Sequence, residues 1–102
     1  MTTDIALLVN PVAGDGRGFR AGRLAAETLR ARGNRVREIV GLDPDDVAER
    51  TDAVLADGAD SVVVVGGDGM VHLAIQRLAG TDVPMGVVPA GAGAGRRGRA
   101  RP

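Results

Sequence analysis

The sequence predicts an α/β fold, a three-layer arrangement in which a parallel sheet is covered by helices on both faces. Short continuous apolar runs alternate with amphipathic helical patterns along the 102 residues. Runs of this kind are typical of strands buried on both faces. The predicted order is β-α-β-α-β-α-β, and strands joined through helices are parallel. Glycine-rich segments follow two of the strands, where such sheets bind their ligands.

The first half of the chain contains two predicted strands and the helix between them. Residues 5–9 form a short apolar run that ends before Pro11, which cannot donate to a strand ladder. Residues 19–32 carry apolar side chains at helical spacing, and Gly33 ends that helix. The run over residues 36–40 predicts the second strand.

The second half repeats the alternation. Asp43 precedes a proline and two further acids, which predicts a helix start at that point. The helix ends at Gly58. Residues 61–65 predict a third strand, residues 70–79 a third helix and residues 85–88 a fourth strand.

Composition excludes several classes of protein. The chain has no cysteine and one aromatic residue, Phe19, so it offers neither a thiolate metal site nor a surface for stacking bases. Residues before 89 carry 9 Arg against 13 acids, which argues against nucleic-acid binding. The acids of residues 43–49 lack the spacing of a calcium loop, and no metal site made of protein ligands alone is predicted. No apolar run is long enough for a membrane span, and the first residues lack a signal-peptide pattern. A cytoplasmic protein with at most peripheral membrane contact is expected.

The run Gly66-Gly67-Asp68-Gly69 is the most informative motif, because a four-valine strand leads in and a helical pattern leads out. The N–H groups at a helix start attract phosphate, and glycines let the backbone approach its oxygens. Asp68 could hold a metal ion that bridges phosphates, or orient a hydroxyl that attacks a phosphoryl group. The alternative interpretation is a plain tight turn, but such turns usually join hairpin strands.

A second glycine-rich segment, residues 10–18, follows the first predicted strand. Its spacing does not match a Walker-type loop, and the chain contains no lysine. Arg17 and Arg20 could neutralise phosphate charge, although solvated arginines at a helix start are more common. His72, the single histidine, is expected to be a surface residue of the third helix.

The segment after residue 88 differs from the rest of the chain. Residues 89–102 consist of Pro, Ala, Gly and Arg alone, a composition without large apolar side chains. We therefore predict a domain over residues 1–91 and a disordered tail over residues 92–102. A shifted reading frame near residue 91 in a GC-rich gene would produce this composition, and a native basic tail for an acidic partner is the alternative.

Three segments together resemble the catalytic domain of diacylglycerol kinase-type lipid kinases, a group that includes sphingosine kinases and is distantly related to NAD kinases. The segments are Asn10-Pro11-Val12-Ala13-Gly14, Gly66-Gly67-Asp68-Gly69 and Val87-Val88-Pro89-Ala90-Gly91. The resemblance covers residues 5–91. It implies the N-terminal nucleotide-binding half of an enzyme that transfers the γ-phosphoryl group of ATP to a lipid hydroxyl.

The resemblance also implies residue roles. Asp68 would be the catalytic residue, acting at the phosphoryl group or on Mg²⁺. The residues implied in ATP binding are Asn10, Pro11, Gly14, Gly66, Gly67, Gly69, Met70 and Gly91. ATP with Mg²⁺ and a lipid substrate are the implied partners.

The chain departs from the family pattern at several points, and it has His72 and Leu73 where the family often has Asn and Glu. Met70 stands where the family usually has Thr, and residues 92–95 replace a Thr-Gly-Asn-Asp segment. The family's C-terminal β-rich domain is also absent from this sequence. We therefore expect a truncated member with little activity of its own, whose uncovered sheet edge allows homo-oligomers. Two alternatives are a non-catalytic nucleotide-binding module and an enzyme of the NAD kinase type, although the Asn-Pro and Pro-Ala-Gly segments favour a lipid kinase.

Overall fold

The structure is a computed structural model that describes residues 3–90. Its elements are β1 (Asp4–Val9), α1 (Arg17–Ala31), β2 (Arg35–Val40), α2 (Pro44–Ala56), β3 (Ser61–Gly66), α3 (Asp68–Leu78) and β4 (Met85–Pro89). The predicted order of strands and helices is confirmed. Gly91 and the predicted tail of residues 92–102 lie outside the described residues.

The four strands form one parallel sheet in the order β2-β1-β3-β4. Val9, at the end of β1, pairs with Val40 of β2 and with Val65 of β3. Gly66, the last residue of β3, pairs with Pro89 of β4. Because β1 and β3 are neighbours, the two glycine-rich segments that follow them leave the sheet side by side.

Helices cover both faces of the sheet, as predicted. Leu8 and Val64 are fully buried beneath α2 and α3, where Val47 and Ala74 complete one core. Side chains of the opposite face pack under α1, which is the only helix on that side within residues 3–90. Since neighbouring residues of a strand point to opposite faces, the continuous apolar runs of β1 and β3 are explained by burial on both sides.

Helix α1 does not reach across the whole of its face. An apolar groove of about 260 Å³ is left beside it, over the strands at the β4 side of the sheet. The groove is lined by Ala21, Leu24, Ala25, Thr28, Leu29, Val63 and Val88. In residues 3–90, none of the helices is long and apolar enough to cross a membrane.

Ion pairs hold the amino end of the sheet. Arg37 of β2 donates from Nη2 to Asp4 Oδ2 at 2.5 Å and from Nη1 to Asp57 Oδ2 at 2.6 Å. The hydrogen bond from Arg37 lowers the pKa of Asp4 below its ordinary value of 3.8. Asp60 Oδ2 accepts the backbone N–H of Asp4 at 2.8 Å. These contacts tie β1 to β2 and to the segment between α2 and β3.

Two helices begin earlier than predicted. Helix α3 begins at Asp68 and not at Met70, because Gly67 is extended and takes the N-cap position. Asp68 is therefore the first helical residue, where its charge interacts favourably with the helix dipole. Helix α1 begins at Arg17 and not at Phe19. The positive φ angles of Gly14, Asp15 and Gly16 complete the turn of the chain before Arg17, and Gly16 takes the N-cap position.

Candidate functional site

The carboxyl ends of β1 and β3 bring the two glycine-rich segments into contact. The N–H of Asn10 donates to the carbonyl of Val65 at 3.0 Å. Its Cβ lies 3.5 Å from the position that a Cβ on Gly66 would occupy. The order of elements along the chain does not determine this convergence. It results from the adjacency of β1 and β3.

The loop between β1 and α1, residues 10–16, is closed by its own backbone. The side-chain oxygen of Asn10 accepts the N–H of Val12 at 3.1 Å, and its carbonyl accepts the N–H of Ala13 at 3.2 Å. Gly14, Asp15 and Gly16 all have positive φ, at 62°, 60° and 93°. This conformation favours glycine, so the glycines at 14 and 16 serve the shape of the loop.

Carbonyl groups of the same loop accept the first N–H groups of α1. The N–H groups of Arg17, Gly18 and Phe19 donate to carbonyls of residues 14, 13 and 11 at 3.3, 2.9 and 3.1 Å. The first N–H donors of a helix are the groups that can bind an anion. Here they already have acceptors, so α1 does not offer an open phosphate site.

Helix α2 is closed in another way. Asp43 is its N-cap, and the Asp43 carboxylate accepts the N–H of Asp45 at 3.0 Å. The first helical residue is Pro44, which has no N–H. This helix start therefore carries its own negative charge and has one donor fewer than usual.

Helix α3 has an open start. Its N-cap is Gly67, which has no side chain to cap the helix. Within residues 3–90, the N–H groups of Asp68, Gly69 and Met70 have no hydrogen-bond acceptor. An added Cβ at Gly67 or at Gly69 would meet nothing within 4 Å, and neither residue has a positive φ. The fold therefore does not require glycine at these two positions, and the glycines keep the space beside the free donors clear.

Asp68 is exposed at this helix start. A carboxylate here would repel a bound phosphate unless a cation lay between them. Mg²⁺ commonly binds through one or two carboxylates, with phosphate oxygens and water as its other ligands. Residues 3–90 contain no cluster of three or more side chains that could ligate a metal. The donor set thus fits a cation that arrives with a phosphate ligand, and does not fit a metal held by protein groups alone.

A cavity of about 180 Å³ opens beside this helix start. It is lined by Asn10, Gly41, Leu42, Pro44, Val47, Gly69, Met70 and Leu73. Most of these side chains are apolar. Complete small-molecule sites usually measure roughly 300–1,000 Å³, so this volume suits one part of a larger ligand.

The predicted binding residues fall into two groups. Asn10, Gly69 and Met70 line the cavity, and Gly66 packs against Asn10 and Met70 at its edge. Pro11 and Gly14 lie in the loop before α1, where their carbonyls accept N–H groups of that helix. The site residue Gly91 lies outside the described residues.

Sequence reasoning missed the wall of the cavity that α2 and its preceding segment supply. Gly41 and Leu42 follow β2, and Val47 comes from the first turns of α2. The signal was present, since the carboxyl ends of parallel strands share one edge, but the neighbour of β1 was unknown. His72 is exposed on α3 with its Nε2 3.2 Å from Gln76 Nε2, and it does not line the cavity.

Together, a parallel α/β sheet and an open helix start at its strand ends define a class of domain suited to phosphate ligands. Residues 4–95 match the family model of the diacylglycerol kinase catalytic domain. The chain belongs to that family, which is a family of kinases.

Individual relatives agree with this assignment. The chain is 46% identical over 89 residues to diacylglycerol kinase from two strains of Mycobacterium tuberculosis, CDC 1551 / Oshkosh and H37Rv. The match covers 87% of this chain and 29% of each relative. The crystal structure of a diacylglycerol kinase from Bacillus anthracis str. Sterne is similar in fold, with a TM-score of 0.64 at 23% identity. That similarity covers 86% of this chain and 33% of the Bacillus chain.

Proposed function

We propose that this chain is the ATP-binding part of a diacylglycerol kinase catalytic domain, with the phosphates of ATP bound at the start of α3. One observation carries the proposal. Within residues 3–90, the first N–H groups of α3 have no acceptor and the space beside Gly67 and Gly69 is clear, whereas the loop accepts the first N–H groups of α1 and the Asp43 carboxylate caps α2. The cavity beside it, with Met70 and Leu73 in its wall, takes part of the nucleoside.

The chemistry assigned to each group follows from this placement. The N–H groups of Gly69 and Met70 donate to phosphate oxygens, and the dipole of α3 stabilises their negative charge. The carboxylate of Asp68 is the ligand for Mg²⁺ or the acceptor of the proton from the attacking lipid hydroxyl. Mg²⁺ supplies charge neutralisation between the phosphates when it is bound.

ATP binding is tested by following backbone amide shifts during titration with ATP and Mg²⁺. We expect the largest shifts at Gly67, Asp68 and Gly69, with smaller shifts along the cavity at Leu42 and Leu73. Adenosine is the control ligand, because it lacks phosphates and should move only the cavity signals. Shifts confined to the start of α1, or no shifts with ATP, would contradict the proposal.

The two roles of Asp68 are separated by the Asp68→Asn variant. A ligand for Mg²⁺ predicts that native binding of ATP is tightened by Mg²⁺ and that the variant loses this dependence. A proton acceptor predicts that the variant keeps the full Mg²⁺ dependence. The measurement is the Kd for ATP with and without Mg²⁺, and it does not depend on turnover.

The complete phosphoryl transfer is proposed for the whole catalytic domain. The chain spans less than a third of the Mycobacterium tuberculosis relatives. We propose little or no phosphoryl transfer by residues 1–102 alone, with diacylglycerol as the lipid substrate of the complete catalytic domain. An assay with labelled ATP and diacylglycerol should show no turnover above background. Robust product formation would be the contrary result.

The remaining proposals concern organisation. The proposed ATP-binding domain comprises residues 1–91, and residues 92–102 lie outside it. The protein acts in the cytoplasm and contacts membranes only peripherally, since its substrate is a lipid.

Uncovered apolar surface beside α1 allows homo-oligomers, which sedimentation velocity at several concentrations tests. If a complete catalytic domain bound ATP but transferred no phosphoryl group, the result would favour a non-catalytic nucleotide-binding module over a lipid kinase.

A further inference from the structure

Gly18 lies where α1 packs against the backbone of Asn10, the residue that follows β1. It is the second residue of α1 and is buried. An added Cβ would lie 2.0 Å from the carbonyl oxygen of Asn10 and 3.3 Å from the backbone nitrogen of Ala13. Both atoms belong to the backbone, so no side-chain rotation can make room. The arrangement of α1 against the loop therefore requires glycine at position 18.

The group that Gly18 contacts is the residue that joins the two glycine-rich segments. The N–H of Asn10 donates to the carbonyl of Val65 of β3 at 3.0 Å, and Asn10 lines the cavity. Its carbonyl, which faces Gly18, also accepts the N–H of Ala13 at 3.2 Å. A displacement of that carbonyl would thus move Asn10 relative to Gly66 and the start of α3.

We propose that Gly18 is a positioning residue for the nucleotide site. It sets the place of Asn10 beside Gly66 and never touches the nucleotide itself. This inference rests on the proposed ATP site and adds the residue that holds one wall of it. The same geometry explains why the loop closes onto α1 through the N–H of Gly18, which donates to Ala13 at 2.9 Å.

Gly22 provides a matched control one helical turn further along α1. It is also buried, and an added Cβ would lie 2.7 and 2.9 Å from the Cγ1 and Cγ2 atoms of Val9. Those atoms belong to a side chain and not to the loop backbone. A Gly→Ala change favours the helix at Gly22 and does not disfavour it at Gly18. The two variants therefore differ in what the new methyl group displaces.

The experiment compares Gly18→Ala with Gly22→Ala in the full chain. Each protein is titrated with ATP and Mg²⁺, its amide spectrum is recorded and its unfolding by urea is measured. We expect Gly18→Ala to weaken ATP binding by about tenfold or more, because small misplacements of a site are costly. Its amide signals at Asn10 and Gly66 should shift before ATP is added. Gly22→Ala should bind ATP as the native chain does, even if its urea midpoint falls.

Three results would overturn the inference. They are native ATP binding by Gly18→Ala, equal losses of binding in the two variants, and unshifted signals at Asn10 and Gly66. If the native chain itself does not bind ATP, the proposed function fails, while the Asn10 and Gly66 signals still decide the positioning role.

If Gly18→Ala does not fold, a measurement on the native chain tests the proposal instead. Hydrogen exchange at the N–H groups of Ala13 and Gly18 should be as slow as in the middle of α1. Fast exchange there would show that Gly18 does not hold the loop closed, and would reject the proposal.

Discussion

At the amino end of the sheet, Arg37 donates to Asp4 and Asp57, whereas at the carboxyl end the first N–H groups of α3 have no acceptor within residues 3–90. The first set of groups is paired with protein and contributes to stability. The second set forms the proposed phosphate site. The comparison predicts that substitutions at the two ends change different quantities, stability at one end and ligand binding at the other.

The largest expected effect is on ATP binding by Gly69→Ala. The methyl group enters the open space beside the N–H donors of α3, while the fold meets no new contact within 4 Å. Binding should weaken about tenfold or more, since one hydrogen bond to a charged group contributes about 1.5–3 kcal/mol. Unfolding stability should be unchanged or higher, because alanine favours helix over glycine. Calorimetric titration and urea unfolding give the two values, and a large loss of stability would contradict the comparison.

The second effect is a loss of stability without a change in ATP binding, expected for Arg37→Met. The substitution keeps the apolar stem but leaves the carboxylates of Asp4 and Asp57 without their cation, so the free energy of unfolding should fall. ATP binding to the folded protein should not change. Arg23→Met is the control, because the pair with Glu27 is exposed and 3.9 Å long and such pairs contribute little. Equal free energies of unfolding for the two variants would show that the ion pairs of Arg37 contribute no more to stability than the exposed pair of Arg23.

The smallest effect is the acid dependence of stability that Asp4 produces. Its pKa is lowered in the folded state below the ordinary value of 3.8, chiefly by the hydrogen bond from Arg37. The contribution is therefore fully present above the unfolded pKa and is lost as the pH falls below 3.8 through the folded pKa. Urea unfolding at about pH 6 and about pH 3 should show a loss that Asp4→Asn lacks. A loss of the same size in Asp4→Asn would assign it to other carboxylates.

Local signals in the sequence are sufficient to predict the strands and helices. They are insufficient to predict which strands are adjacent in the sheet. Apolar runs and helix ends such as Gly33 and Gly58 depend on adjacent residues, and all seven elements were predicted. The adjacency of β1 and β3 depends on contacts between distant residues, so the convergence of Asn10 with Gly66 was left open. The segment after β2 was missed as a cavity wall for the same reason.

Glycines illustrate this limit most clearly. Gly14, Gly16 and Gly18 are equivalent in a sequence pattern, which predicts one loop for all three. In the structure, Gly14 and Gly16 have positive φ, whereas Gly18 is helical and contacts a backbone carbonyl. Arg37 likewise gives no signal within the second predicted strand, because its partners Asp4 and Asp57 are remote in sequence. The predicted start of α3 at Met70 was wrong since backbone angles at Gly67 allow the helix to begin at Asp68.

The pairing of Ile5 with Ser61 has a consequence for the order of folding. The central pair of strands closes over α1, β2 and α2, and long closures of this kind form late. The contact between Asn10 and Gly66 depends on that closure, so partly folded chains would lack the proposed nucleotide site. A ligand that binds only the complete form lowers the population of every open form. ATP should therefore slow hydrogen exchange throughout β1 and β3, far beyond the residues that it touches.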